Sequence, residues 1–82
     1  VSQHSTRLRS PADFGLAVQQ ARLARGLSQT ELAAELGLTQ SAISEIENGK
    51  GTIYLRRLLT LARATGLEFA ATWEEPDDAP RG

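Results

Sequence analysis

The stretch Gly26–Lys50, GLSQTELAAELGLTQSAISEIENGK, decides the fold. Ser28 stands where a helix N-cap belongs, and Glu31 three residues on completes a capping box. Leu32, Ala33 and Leu36 form the inward face of that helix. Gly37 ends it, because a left-handed backbone carries no steric cost for glycine. Thr39 caps a second short helix whose buried face is Ala42, Ile43 and Ile46, and Gly49 closes it. Two short helices joined by a tight, glycine-containing turn make a helix-turn-helix.

The outward face of the second helix carries Gln40, Ser41, Ser44 and Glu45. These are hydrogen-bonding side chains of modest length, suited to reading base edges in a DNA groove. A face that only kept the helix in water would be richer in Glu and Lys. Glutamine at position 40 has the donor and acceptor needed for a bidentate pair with adenine, and Glu45 can accept from a cytosine amino group or stand clear of the groove. Ser41 and Ser44 add base or phosphate contacts. Thr39, Asn48 and Lys50 are expected on phosphates, which position a protein without specifying sequence. The backbone N–H groups of the Asn48–Gly51 loop are a further expected phosphate cradle.

The motif resembles the Xre/phage-repressor type of helix-turn-helix, the family of Cro and the phage repressors. The matching residues are Arg22, G-L-S-Q at Gly26–Gln29, L-A at Leu32–Ala33, Gly37, T-Q-S at Thr39–Ser41, I-S at Ile43–Ser44 and I-E-N-G-K at Ile46–Lys50. The resemblance implies an all-α, lambda-repressor-like bundle of four to five helices. It also implies that Arg22 pairs with Glu47, tying the first helix to the end of the recognition helix. Such a pair resolves a difficulty in the residues themselves, because Arg22 falls on or beside an apolar stripe where an unpartnered cation is costly. The resemblance further places a glutamine at both helix starts, Gln29 and Gln40, where the two can brace each other, with Gln29 close to a phosphate.

Upstream, Ser10-Pro11-Ala12-Asp13 reads as a helix start, with Ser10 as cap, Pro11 in the first turn and Asp13 at the positive end of the dipole. That helix runs to about Arg25, with Phe14, Ala17, Val18 and Ala21 as its expected buried stripe. Residues 1–9 are polar and read as a flexible arm; a phosphate-touching arm or a short strand over Thr6–Arg9 is the alternative. His4, in that segment, is expected in solvent.

Downstream, Thr52 caps a helix over about Leu55–Thr65, closed by Gly66. Its apolar residues, Leu55, Leu58, Leu59, Leu61 and Ala62, cover more of the surface than one buried stripe needs. The pattern then changes period: Leu67, Phe69, Ala71 and Trp73 alternate with Glu68, Ala70 and Thr72, a strand over 67–73. A lone strand leaves unpaired backbone groups along both edges. The economical partner is the same strand of a second copy across a two-fold axis, with residues 6–9 as the competing partner. Residues 74–82 are acidic and proline-containing and read as a disordered tail. The domain expected for 10–66 thus sits between a terminal arm and a dimerisation strand.

Composition bounds the function. Eighty-two residues make one small domain. There is no cysteine, which removes disulfides and thiolate metal sites and fits a reducing, cytoplasmic setting, nucleoid-associated when DNA is bound. No apolar run is long enough for a membrane span, and no signal peptide is read. The net charge of −1 is unevenly distributed: residues 1–73 carry eight Arg/Lys against six acids, and residues 74–82 carry four acids against one arginine. The body is weakly basic, as a DNA-binding body should be. No nucleophile–base pair, metal-ligand spacing or phosphate loop after a strand is present, so neither an enzyme nor a cofactor is expected.

The full layout is S-P-A-D-F-G at Ser10–Gly15, then the motif, a short helix and a terminal strand. It is similar to HipB-type antitoxins. That resemblance implies a homodimer joined by its terminal strands. It implies repression of a shared operon through a palindromic operator, and neutralisation of a HipA-like toxin kinase. A stand-alone repressor of the same fold is the alternative. A helical adaptor without DNA binding is a third reading.

Overall fold

Each helix begins at a capping side chain. In the computed structural model, which describes residues 2–76, the order is β1 (Ser2–Leu8), α1 (Pro11–Ala24), α2 (Gln29–Leu36), α3 (Gln40–Glu47), α4 (Ile53–Thr65) and β2 (Phe69–Glu75). The Ser10, Thr39 and Thr52 hydroxyls each accept from the backbone N–H three residues on. At Ser28 both halves of the capping box are present, with the Glu31 carboxylate accepting from the Ser28 N–H at 2.8 Å. Those bonds also hold the Glu31 carboxyl below the usual carboxylate range. Gly37 caps α2 with φ +69°, the left-handed backbone that lets the chain turn into α3.

The core is made of small residues. The buried apolar side chains are Leu8, Ala17, Ala24, Ala33, Ile43, Leu59 and Ala62, and Gly15 is buried with them. The expected stripe on α1 is displaced: Val18 is exposed, Phe14 and Ala21 are half-buried, and Gly15, Ala17 and Ala24 face inward. The reason is the closeness of α1 to α3. A Cβ placed on Gly15 would lie 2.3 Å from the Ile46 carbonyl oxygen and 2.7 Å from that of Glu47. Backbones this close exclude large side chains from the crossing. Ile46, whose carbonyl sits at that crossing, is exposed although expected inward; Leu36 is exposed as well, leaving Ala33 and Ile43 as the buried apolar residues of α2 and α3.

The strand lies at 69–75 rather than 67–73, and its partner within the chain includes residues 6–8 of the segment given as the competing partner. β2 pairs antiparallel with β1 of the same chain, in a register running from Ser2↔Glu75 to Leu8↔Phe69. The flexible arm expected over residues 1–9 is therefore a strand over Ser2–Leu8, longer than the alternative over Thr6–Arg9. The physical reason is proximity, since a segment of the same chain reaches the edge without a second molecule. β1 gave little sequence signal because SQHSTRL is polar and only Leu8 is buried. His4 is exposed, as expected, and also stacks on Trp73 with ring centroids 5.6 Å apart, its Nε2 3.2 Å from Glu75 Oε1. Arg7 pairs with Glu68 near the other end of the ribbon. α1 packs against the two-stranded ribbon and against α3. Among the described residues there are four helices and no fifth. Of the acidic tail expected to be disordered over 74–82, Glu74 and Glu75 instead end β2, paired with Gln3 and Ser2, and residues 77–82 lie outside the described residues.

Gly15→Ala is expected to lower stability by about 1–3 kcal/mol, the usual cost of overpacking. Chemical denaturation reads this directly, and an unchanged midpoint would mean α1 and α3 do not cross so closely.

Candidate nucleic-acid interface

The recognition helix is held by a chain of polar contacts that starts in the core. Glu47, at the last turn of α3, is buried, and its side chain is 2% exposed. Arg22, in the last turn of α1, is 8% exposed at its side chain. The guanidinium grips the carboxylate by two bonds: Nε donates to Oε2 at 2.7 Å, and Nη2 donates to Oε1 at 3.0 Å. Its Nη1 donates to the Leu27 carbonyl at 2.7 Å. A planar, bidentate arginine pair of this kind fixes direction as well as distance. Hydrogen bonding to Arg22 holds the Glu47 carboxyl below the usual carboxylate range, against the opposing effect of burial. The same contact raises Arg22 above its already high ordinary value.

The carboxylate also orders two amides. Gln29 Nε2 donates to Glu47 Oε1 at 3.0 Å, and Gln40 Nε2 donates to Gln29 Oε1 at 2.6 Å. An ionised carboxylate only accepts. Gln29 must therefore turn its nitrogen to Glu47 and its oxygen to Gln40, and Gln40 must answer with its own nitrogen. The amide orientations follow from this network. The outcome is a defined Gln40: one N–H is engaged by Gln29, while the second N–H and Oε1 remain for another partner. These two are the groups that adenine N7 and N6–H require. Gln40 and Ser41 are exposed at the start of α3, and Ser44 is half-buried one turn on.

The structure shows what two of the groups expected on phosphates already hold. The Gln29 side chain is engaged between Glu47 and Gln40, the bracing the resemblance implied, so it orients Gln40. The backbone N–H groups of Asn48, Gly49 and Lys50 already donate to the carbonyls of Ser44, Ile46 and Glu45. That loop closes α3 and offers no cradle from those three amides. What it presents is side chains. The Asn48 amide donates to Ser44 Oγ at 3.3 Å, and Lys50 Nζ lies 3.0 Å from Glu45 Oε2. Both members of the Lys50–Glu45 pair are exposed, so the pair is weak and exchangeable. Lys50 thereby offsets the one carboxylate on the reading face. Thr39 uses its hydroxyl to cap α3.

Of the residues assigned to dimerisation, Phe69, Ala71 and Trp73 are half-buried on alternate positions of β2, and Leu67 is exposed ahead of the strand. Sequence reasoning missed two contributors to the site. Gly15 permits the close approach that brings Arg22 to Glu47, and the only signal for it is a glycine inside a helical pattern. The Leu27 carbonyl is a backbone acceptor with no side-chain signature. Among the described residues no group of three His, Cys, Asp or Glu side chains could hold a metal. No described helix is long and apolar enough to cross a membrane.

A bundle with a short two-helix unit, an exposed polar second helix and a buried ion pair beneath it defines a helix-turn-helix protein. The comparison with protein families agrees: the model described as Helix-turn-helix matches residues 18–71, and the chain belongs to that family. A relative in Sinorhizobium fredii (strain NBRC 101917 / NGR234), named "Uncharacterized HTH-type transcriptional regulator y4dL", is 51% identical over 49 residues. That stretch is 60% of this chain and 25% of the relative, so the likeness concerns one part of a longer protein. No solved structure matches the chain.

The depressed Glu47 carboxyl sets a direction for pH dependence. Its stabilisation is fully present above the unfolded-state value of about 4.3 and is lost as pH falls through the lower folded value. Unfolding free energy is expected to drop on acidification below pH ~4, with Glu47→Gln less stable at neutral pH and flatter over that range. Equal acid dependence in the two proteins would assign the effect to other carboxyls.

Proposed function

We propose that the chain is a sequence-specific, double-stranded DNA-binding transcriptional repressor that acts as a homodimer on a palindromic operator. The observation that supports it most is the ordered line from Arg22 through Glu47 and Gln29 to Gln40, which prepares one exposed amide in the sense that adenine accepts. Family membership supports DNA binding in general. Gln40 reads a base edge. Ser41 and Ser44 add base or phosphate contacts, and Thr39, Asn48 and Lys50 lie along the backbone. The backbone N–H at the start of α2, under Gln29, is placed for a phosphate in the same way. Glu45 releases Lys50 to a phosphate, or accepts from a cytosine when Lys50 stays in place. Two copies related by a two-fold axis would read half-sites roughly 34–36 Å apart.

The more specific reading is that of a HipB-like antitoxin, which represses its own operon and neutralises a HipA-like kinase. The support for it is the order of elements: a helix-turn-helix followed by α4 and a terminal strand. The alternative is a repressor with no toxin partner. The name of the rhizobial relative, a transcriptional regulator, favours it to the same degree. Co-purification with the product of the adjacent open reading frame separates the two. A stoichiometric complex, with a neighbour that halts growth when expressed alone, supports the antitoxin. A chain that purifies without the neighbour and still binds its upstream DNA is the stand-alone repressor.

Gln40→Ala is expected to cost about 1–3 kcal/mol on the operator and little on random DNA, measured by titration at fixed salt. Equal loss on both would remove base reading from Gln40. Lys50→Ala is expected to weaken both and to reduce the salt slope by about one unit. An unchanged slope would take Lys50 off the phosphate backbone.

A further inference from the structure

Helix α4 is buried on only one side. Leu59 and Ala62 face the core and Leu55 is half-buried, while Tyr54 is 77% exposed, Leu61 59% and Leu58 43%. At 100° per residue, Tyr54, Leu58, Leu61 and Thr65 form one stripe along the flank of α4, roughly a quarter turn round from the face that Leu55, Leu59 and Ala62 turn to the core. Leu67, just beyond Gly66, is exposed as well. A stripe of this width on so small a domain marks an interaction surface rather than scattered surface residues.

We propose that this face of α4 is where a second copy of the chain docks, antiparallel and across a two-fold axis; the inference rests on the homodimer reading above. Three observations favour a second copy as the occupant. The stripe is symmetric in its own spacing, with steps of four, three and four residues from Tyr54 to Thr65. A two-fold antiparallel pairing then lays Leu58 of each copy on Leu61 of the other, and the large Tyr54 on the small Thr65. This is the self-complementarity that an isologous contact demands. The size is also adequate: covering Tyr54, Leu58, Leu61 and Leu67 on both copies removes on the order of 1,000 Å², the lower bound for a specific interface. Finally, the strand expected to join two copies is less free than the helix. One edge of β2 is taken by β1, and Phe69, Ala71 and Trp73 are half-buried. α4 carries no acid, and Arg57, the charge nearest the stripe, sits on its flank, so the stripe can close over apolar contacts with the two Arg57 side chains left at the solvent rim.

The test is the solution mass of the full chain, wild type against Leu61→Glu, by light scattering. Leu61 is exposed, so the charge disturbs the docked face and not the fold; an unchanged circular-dichroism spectrum checks this. The expected result is a wild-type dimer and a Leu61→Glu monomer. The chain has no cysteine, so the double variant Tyr54→Cys/Thr65→Cys gives an independent reading, with a covalent dimer expected on mild oxidation. A wild-type monomer would overturn the homodimer reading itself. A wild-type dimer that persists in Leu61→Glu, with no covalent dimer from the cysteine pair, would leave that reading intact and overturn the assignment of α4.

Discussion

The buried ion pair between Arg22 and Glu47 is the constraint on which the rest of the structure depends. It joins the end of α1 to the end of α3 at a point where both charges are largely withdrawn from water. Such a pair is weak evidence for stability, because desolvation offsets most of its attraction. Its effect is on direction. The planar guanidinium meets the carboxylate by two bonds and the Leu27 carbonyl by a third, so the angle between α1 and the recognition helix has little freedom. The carboxylate then imposes donor and acceptor senses on Gln29 and Gln40 in turn. A core charge thus decides which atoms of an exposed side chain are left free for another partner.

That arrangement requires α1 and α3 to come very close, and this explains the composition of the core. Gly15 leaves room for the Ile46 and Glu47 carbonyls, and alanines at 17, 24, 33 and 62 fill the nearby positions. Close backbones give good contact but bury little apolar area, and the larger side chains are displaced outward. Leu16, Leu36, Ile46, Tyr54 and Leu61 are all exposed. A domain of this size buries only about 60% of its unfolded surface even when well packed. Much of its remaining apolar surface is therefore concentrated where a partner can cover it, on α4 above all.

The local elements were readable in the residues because caps and turns act over three or four positions. Ser10, Ser28, Thr39 and Thr52 each cap the helix that follows, and Gly37 and Gly66 take the left-handed backbone that ends α2 and α4. The exposed start of α3 and the polar character of its face were legible for the same reason. The pairing of Arg22 with Glu47, and the two glutamines as neighbours, followed from the resemblance to a known motif; nothing in their spacing alone requires it. The buried faces were read less well. Periodicity marks apolar side chains, and here the inward positions belong to glycine and alanine.

The sequence by itself determined the four helices, their caps, the turn between α2 and α3 and the side chains displayed on the reading face. All of these rest on interactions between residues close in the chain. Only the tertiary structure decided which side of α1 is buried, that the Asn48–Lys50 amides close α3 rather than hold a phosphate, and that β2 takes β1 as its partner. Those outcomes depend on the distance between backbones far apart in sequence, and on which unpaired edge lies nearest. A polar strand such as SQHSTRL announces neither in its own residues.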